Sequence, residues 1–313
     1  LRKAAPDAHI TMLVDEKLKD VVLFNPYLDE VVTIDKKGRD NSILSLWACS
    51  RHLSKLDFDV LINLHPNERC SFIDAMTSVR LRTGTTHKIF KWFWDVFTPL
   101  DRSMHAADMY LDVLQQLGVQ DLSNNGLEIF PGEEHFLEAE LFWQEQNITD
   151  QDKLIGFNIG SAVPTKRWPP ERFAEVADIF AAKGYKTVFF GGPMDEEMVA
   201  EATGYMQTRP IIATGHFAIG GLAAAMRRCC LIITNDSGPM HVAISQKVPI
   251  VAMYGPSNPK LYGPYTKDAV IVTAQPPCQG CADGMKHSCD DLQCMSRMMV
   301  EQVVAAADTM LNK

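Results

Sequence analysis

The chain reads as an α/β protein built from two parallel-sheet domains, and three observations lead there. Its 313 residues suggest two domains, at roughly 100–200 residues each. Short apolar runs alternate with amphipathic segments along most of the sequence, which is the βαβ pattern of a parallel sheet. The pattern is interrupted by the acidic, polar stretch 132–153 and then restarts.

Taken in order, the apolar run 9–14 predicts a strand, 17–24 a helix, 30–34 a strand and 42–56 a helix. The sequence continues with a strand at 60–64, a helix at 69–79 and a strand at 80–83, and a helix at 105–117 closes the first half. After the join at 132–153, strands are expected at 154–159, 186–191, 211–214, 231–235 and 249–254. Helices are expected between them at 170–183, 194–206, 219–229 and 239–246. The segment 298–313 is amphipathic, with Val300, Val303, Val304, Ala307 and Leu311 on one side. Two Rossmann-like domains facing each other across a cleft follow from this alternation, expected at 1–145 and 146–297 with a C-terminal helix at 298–313. Residues 1–6 read as the last turn of a helix before the run 9–14, so the first strand and its ligand-facing loop are expected upstream of Leu1.

Composition narrows the function. With 46% hydrophobic and 22% charged residues and a mean hydropathy of -0.08, the chain has material for two ordinary cores. No apolar run reaches the ~18 residues of a membrane-spanning helix, and no signal peptide is visible. A net charge of -9 argues against broad binding to nucleic acid or to an anionic membrane. A cytoplasmic protein that acts on small molecules is expected.

The most informative stretch is Asn235-Asp-Ser-Gly-Pro-Met-His-Val242, where an apolar strand turns into a helix. In an open α/β sheet, ligands sit at the carboxyl ends of strands, and a helix N-terminus offers amides and a positive dipole end to an anion. Three other strand ends carry comparable loops: Gly160-Ser161-Ala-Val-Pro-Thr-Lys166-Arg-Trp168-Pro169-Pro170, Gly191-Gly192-Pro-Met-Asp195-Glu196 and Gly215-His216-Phe217. Together they outline a pocket for a phosphate-bearing ligand with a polyhydroxylated part. Each residue also has a plainer reading. Lys166 could be a surface lysine, Asp236 a helix N-cap, Glu196 a first-turn acid that complements its helix dipole and His241 a buried helix-face histidine.

These four elements together resemble glycosyltransferase family nine, the ADP-heptose:lipopolysaccharide heptosyltransferases, which have the GT-B arrangement. The similarity also takes in residues 5–14, 25–31, Arg82-Thr-Gly84 and Tyr254-Gly-Pro-Ser-Asn-Pro259. The resemblance implies that the second domain holds the donor ADP-heptose and the first binds a lipid-linked core oligosaccharide. Carried over, Lys166 contacts the diphosphate and donor sugar with Ser161 beside it, and Glu196 binds the ribose or adenine end. The backbone at Phe217 meets the adenine, and Asp236 holds the sugar hydroxyls. Ser237 and Gly238 donate to the phosphates, with His241 one turn into the helix. Many members have a hydroxyl residue after Ser161, where this chain has Ala162, so one phosphate hydrogen bond is missing from the pattern.

The implied reaction is an inverting, metal-independent transfer without a cofactor, in which Lys166 is the electrostatic catalyst of diphosphate departure. The family's general base is an aspartate in the loop after the first strand, a position upstream of Leu1. Asp57-Phe58-Asp59 has a D-x-D look but precedes the strand at 60–64, the wrong end of the sheet, and reads as solvated charge. His65 and Arg69 follow that strand and are candidates for an acidic acceptor, with helix capping as the alternative. The segment 87–94 mixes cations with large aromatics and reads either as an interfacial patch beside a lipid acceptor or as a buried aromatic helix. Peripheral contact with the cytoplasmic face of the inner membrane follows from the first of these. Cys278, Cys281, Cys289 and Cys294 have ligand-like spacing, for which reduced thiols and a structural metal both stay open, while Cys229 and Cys230 read as part of a core helix. A GT-B enzyme with another nucleotide sugar and a non-catalytic sugar-nucleotide-binding protein are the competing functions.

Overall fold

The structure, a computed structural model, describes residues 1–65, 67–85, 88–99, 101, 103–274 and 292–313. They form two compact units, Leu1–Asn124 and Asn125–Lys313.

In the first unit, β1 (Thr11–Asp15) pairs in parallel with β2 (Glu30–Ile34), and the connection contains α1 (Lys19–Val22). The helix expected at 17–24 is thus a 3-10 turn followed by a single short α-helical stretch. Strands β3 (Val60–Asn63), β4 (Leu81–Gly84) and β5 (Val96–Phe97) make a second parallel ladder. Helix α2 (Ile43–Ser54) opens with reciprocal capping between Ser42 and Ser45, and α3 (Glu68–Met76) with the Asn67 side chain accepting from the Cys70 amide. Leu46 and Leu53 of α2 and Ile73 of α3 bury with Ile34 in the unit's core. Helix α4 (Ala106–Gln115) follows where a helix was expected.

The second unit holds a six-stranded parallel sheet. Its strands are β6 (Leu154–Asn158), β7 (Lys186–Phe190), β8 (Ile211–Ile212), β9 (Cys229–Asn235), β10 (Ile250–Met253) and β11 (Ala269–Val272). The helices are α5 (Glu133–Glu145), α6 (Pro170–Ala182), α7 (Glu196–Tyr205), α8 (Ile219–Met226), α9 (Gly238–Ser245), α10 (Pro259–Tyr262), α11 (Gln293–Ser296) and α12 (Val300–Leu311). Across the sheet the order is β11-β10-β9-β6-β7-β8. The chain therefore winds outward from β6 through β7 to β8, then returns to β9 on the other side of β6. Between β6 and β9 the connections leave in opposite directions, which opens a crevice at their carboxyl ends.

Successive residues of a strand face opposite sides, and here both sides are covered. Ile155, Phe157, Leu231, Ile233, Val251 and Met253 pack with residues of α6, α7 and α12. Leu154, Val188, Phe190, Ile232, Ile250 and Ala252 pack with residues of α5, α8 and α9.

Two expectations about the second unit differ from this structure. The stretch 132–153 is no mere join, because α5 buries Ala139, Phe142 and Trp143 in the second unit's core and packs on α8. Its glutamates gave the segment an acidic look because an amphipathic helix shows them to water while its apolar face is covered. In the segment 298–313, Val300, Val303, Ala307 and Met310 of α12 enter the core of the second unit. Cys229 and Cys230 open strand β9, with Cys229 in register with Leu154, and are not in a helix. Cys278, Cys281 and Cys289 lie outside the described residues, and Cys294 is buried in α11 against the core.

Candidate functional site

Asn235, the last residue of β9, organises the mouth of the β6–β9 crevice. Its Nδ2 donates to the Ile159 carbonyl at 2.7 Å, and its Oδ1 accepts from the Trp168 amide at 3.0 Å. Trp168 is buried, donates its indole N–H to the Met298 carbonyl at 3.0 Å and meets Phe173 edge to face at 5.1 Å. The loop after β6 is thereby anchored at both ends. Its 3-10 turn Pro164–Lys166 delivers Lys166 to the end of β9, where Nζ lies 2.7 Å from Asp236 Oδ2. The two side chains are 15% and 7% exposed.

Asp236 is held by more than the lysine. Ser257 Oγ donates to the same Oδ2, and the Tyr254 hydroxyl stands 3.3 Å from Oδ1 and 2.8 Å from the Tyr262 carbonyl. Burial, and then the adjacent charge of Asp236, pushes the Tyr254 phenol well above its ordinary range, so it stays neutral. Ser161 is buried and donates to the Asp236 carbonyl at 3.3 Å. An ammonium has three donors, and Asp236 takes one of them. The pair thus places a partly desolvated cation at the crevice without an uncompensated buried charge.

Helix α9 starts beside this pair. Its N-cap is Ser237 rather than Asp236, which removes the plain capping role for the aspartate. Ser237 makes no capping bond; its Oγ accepts from Asn158 Nδ2 at 2.7 Å. Gly238 is exposed, and a Cβ built there meets no atom within 4 Å. His241 is half-buried one turn further on. A helix N-terminus beside an ammonium, with open space over a glycine, is suited to a phosphate group.

The adjoining strand ends continue the edge. A Cβ at Gly160 would fall 2.2 Å from the Asp195 carboxylate, so the loop after β6 needs glycine to lie against the loop after β7. Glu196 is exposed in the first turn of α7, and its Oε1 would be 2.7 Å from a Cβ on Gly215, whose φ is +75°. Phe217 is half-buried against Phe142 and His216, with ring centroids 5.1 and 4.6 Å apart. The structure therefore joins Lys166 and Ser161 to Asp236 by hydrogen bonds, with Ser237 next to Asp236 in the chain and tied to Asn158. Glu196 and Phe217 stand at the neighbouring strand ends.

His65 and Arg69 lie in the first unit, both exposed. The His65 amide donates to Asn63 Oδ1 at 2.5 Å, and burial followed by the charge of Lys36 holds its imidazole below the usual histidine range. Arg69 donates to the Lys36 carbonyl and to Asn41 Oδ1 at 2.6 Å. It lines an open groove of about 890 Å³ with Lys36, Lys37, Asn41, Asn67, Glu68 and Asp15, which His65 does not line. Asp57 and Asp59 are exposed ahead of β3, and Arg80 pairs with Asp59 at 3.1 Å, as solvated charge should be. Of the aromatic segment 87–94, residue 87 lies outside the described residues, while Trp92 is 93% exposed, against a buried helix. Among the described residues no helix is long and apolar enough to cross a membrane.

Sequence reasoning passed over Asn158, Asn235, Tyr254 and Ser257 as site residues. Asn158 sits in an otherwise apolar strand, the only polar residue of β6 and hence the one signal available. Tyr254 and Ser257 lie in a segment noticed for similarity alone, with nothing local to connect them to Asp236.

The family profile of glycosyltransferase family 9 (heptosyltransferase) matches residues 46–289. A solved glycosyl transferase family 9 structure from Veillonella parvula is 52% identical, covers 99% of this chain and 90% of its own, and superposes with a TM-score of 0.94. Lipopolysaccharide heptosyltransferase 3 of Escherichia coli is 23% identical over 99% of this chain and 92% of its own length. The E. coli heptosyltransferase WaaC, solved with ADP, shares the fold at a TM-score of 0.72 and 16% identity, over 99% of this chain and 92% of its own. The α/β, GT-B type class expected from the sequence holds, and the chain belongs to glycosyltransferase family 9, the heptosyltransferase enzymes of lipopolysaccharide core synthesis.

Proposed function

We propose that this enzyme transfers heptose from ADP-heptose, with inversion and without a metal ion, to the inner core of lipopolysaccharide. The observation that supports it most is the Lys166–Asp236 pair at 2.7 Å, set beside the N-terminus of α9 at the switch point of the sheet. As the diphosphate leaves, negative charge grows on the oxygen once joined to the sugar. Lys166 and the α9 terminus, with Ser237 and Gly238, offset that charge with donors already in place. Asp236 reads the hydroxyls of the donor sugar, Glu196 the ribose or adenine end and the Phe217 backbone the adenine. Ser161 supports the turn by tying it to the Asp236 carbonyl, and His241 flanks the diphosphate.

The first unit takes the lipid-linked oligosaccharide, and its basic groove at Arg69 suits an acidic acceptor. His65 lies at the end of the strand that precedes this groove. A lipid-linked acceptor places the enzyme in the cytoplasm, at the cytoplasmic face of the inner membrane. Two measurements test the reading. Thermal melts should rise with ADP and not with UDP, and a core acceptor should release ADP from ADP-heptose. Stabilisation by UDP alone would move the assignment to another nucleotide sugar. Binding of ADP without turnover by the full-length protein would favour a non-catalytic role.

A further inference from the structure

We propose that Asn158 is a positioning residue that fixes the Ser237 hydroxyl as a hydrogen-bond donor toward the bound diphosphate; this rests on the donor-site reading above. Asn158 ends β6, and its register partner across the switch point is Thr234 of β9. Both are fully buried. The Thr234 hydroxyl donates to the Asn235 carbonyl at 2.7 Å. Since a hydroxyl has one proton, Thr234 Oγ1 can only accept from the Asn158 amide, 3.0 Å away.

That polarity orients the amide. Nδ2 must face Thr234, and its second proton goes to Ser237 Oγ at 2.7 Å. Turning the amide over would set Oδ1 against the Thr234 oxygen and leave the NH2 group stranded. Ser237 is consequently an acceptor toward the protein, and its own proton has no acceptor among the described residues. Nor does the side chain turn back to cap α9, the usual role of serine at this position.

The arrangement is not one that packing would select. Asn158 Oδ1 is buried without a hydrogen-bond partner among the described residues, a cost that an apolar side chain at this strand end would avoid. What it achieves is directional: the relay runs from the Asn235 carbonyl through Thr234 and Asn158 to Ser237, and ends in an outward-facing O–H beside Gly238. A group that only accepts, such as a phosphoryl oxygen, fits that end.

The test is a double-mutant cycle in ADP affinity by calorimetry on the full chain, with Asn158→Ala, Ser237→Ala and both. Each single change should weaken ADP binding by about 10-fold, as loss of one bond to a charged group predicts. The double variant should bind within about twofold of Ser237→Ala alone, because Asn158 acts only through that hydroxyl. Should Asn158→Ala fail to fold, Asn158→Leu keeps the side chain's shape without its polarity and enters the same cycle. Losses that multiply in the double variant, or unchanged affinity in Asn158→Leu, would overturn the assignment while leaving the donor site standing. A wild-type chain with no affinity for ADP would overturn the donor site itself, and this assignment with it.

Discussion

The Lys166 ammonium lies 2.7 Å from Asp236 Oδ2, and neither side chain is more than 15% exposed. Removing one member of such a pair strands the other, at a cost of about 3–5 kcal/mol when no other donor compensates. Lys166→Ala should therefore lose stability toward the lower end of that range, since Ser257 still donates to Asp236, and lose turnover by roughly 10²–10³-fold. Adding Asp236→Asn should restore the urea midpoint but not ADP release. Turnover recovered in the double variant would remove Lys166 from the mechanism.

Ser257 separates the orientation of Asp236 from its charge. Its hydroxyl donates to the carboxylate while the lysine pair remains, so Ser257→Ala should cost about 1.5–3 kcal/mol, the range for a bond to a charged group. Turnover should fall less than in Lys166→Ala, and Ser257→Thr should retain most of both properties. Denaturant melts and initial rates on the three proteins check this, and an Ala variant as stable as wild type would show that the bond contributes nothing.

Gly238 offers a change that the fold should tolerate and the ligand should not. Open space surrounds the position of its absent Cβ. Gly238→Val should thus leave the melting temperature within a few degrees while ADP affinity drops by at least about 10-fold, because the side chain fills the volume assigned to a phosphate. Calorimetric titration with ADP decides it; undiminished affinity would place the diphosphate elsewhere.

A pH effect is expected from the first unit. Asp74 on α3 is buried, and burial raises its carboxyl to about 7 against the opposing hydrogen bond from Asn63 and the charge of Arg82. The folded state then holds a proton that the unfolded state releases near pH 4, so stability is highest below that and falls as pH rises toward 7. Asp74→Asn removes this loss. It should be more stable than wild type at pH 8, on the order of 1–4 kcal/mol, and the gap should narrow at pH 5. Urea titrations at both pH values test the sign, and a gap that widens at pH 5 would contradict the burial argument.

Much of the molecule is legible as local pattern. Period-two and helical-period apolar runs place most of the second unit's elements within a few residues, and a Lys-bearing loop and an Asp-Ser-Gly turn at strand ends mark the candidate site. Where the pattern misleads, the reason is tertiary. Helix α5 reads as an acidic join because only its partner α8 reveals that Phe142 and Trp143 are covered. Strand β5 escapes notice because its two residues carry no period.

From the sequence alone come the α/β class, the alternation of its elements and the residue types gathered at strand ends, since those follow from spacing along the chain. Folding alone decided which ends adjoin. Lys166 and Asp236 are 70 residues apart, and Asn158 and Ser237 are 79 apart. They meet because β9 returns to the far side of β6, a long-range strand pairing that no local period encodes.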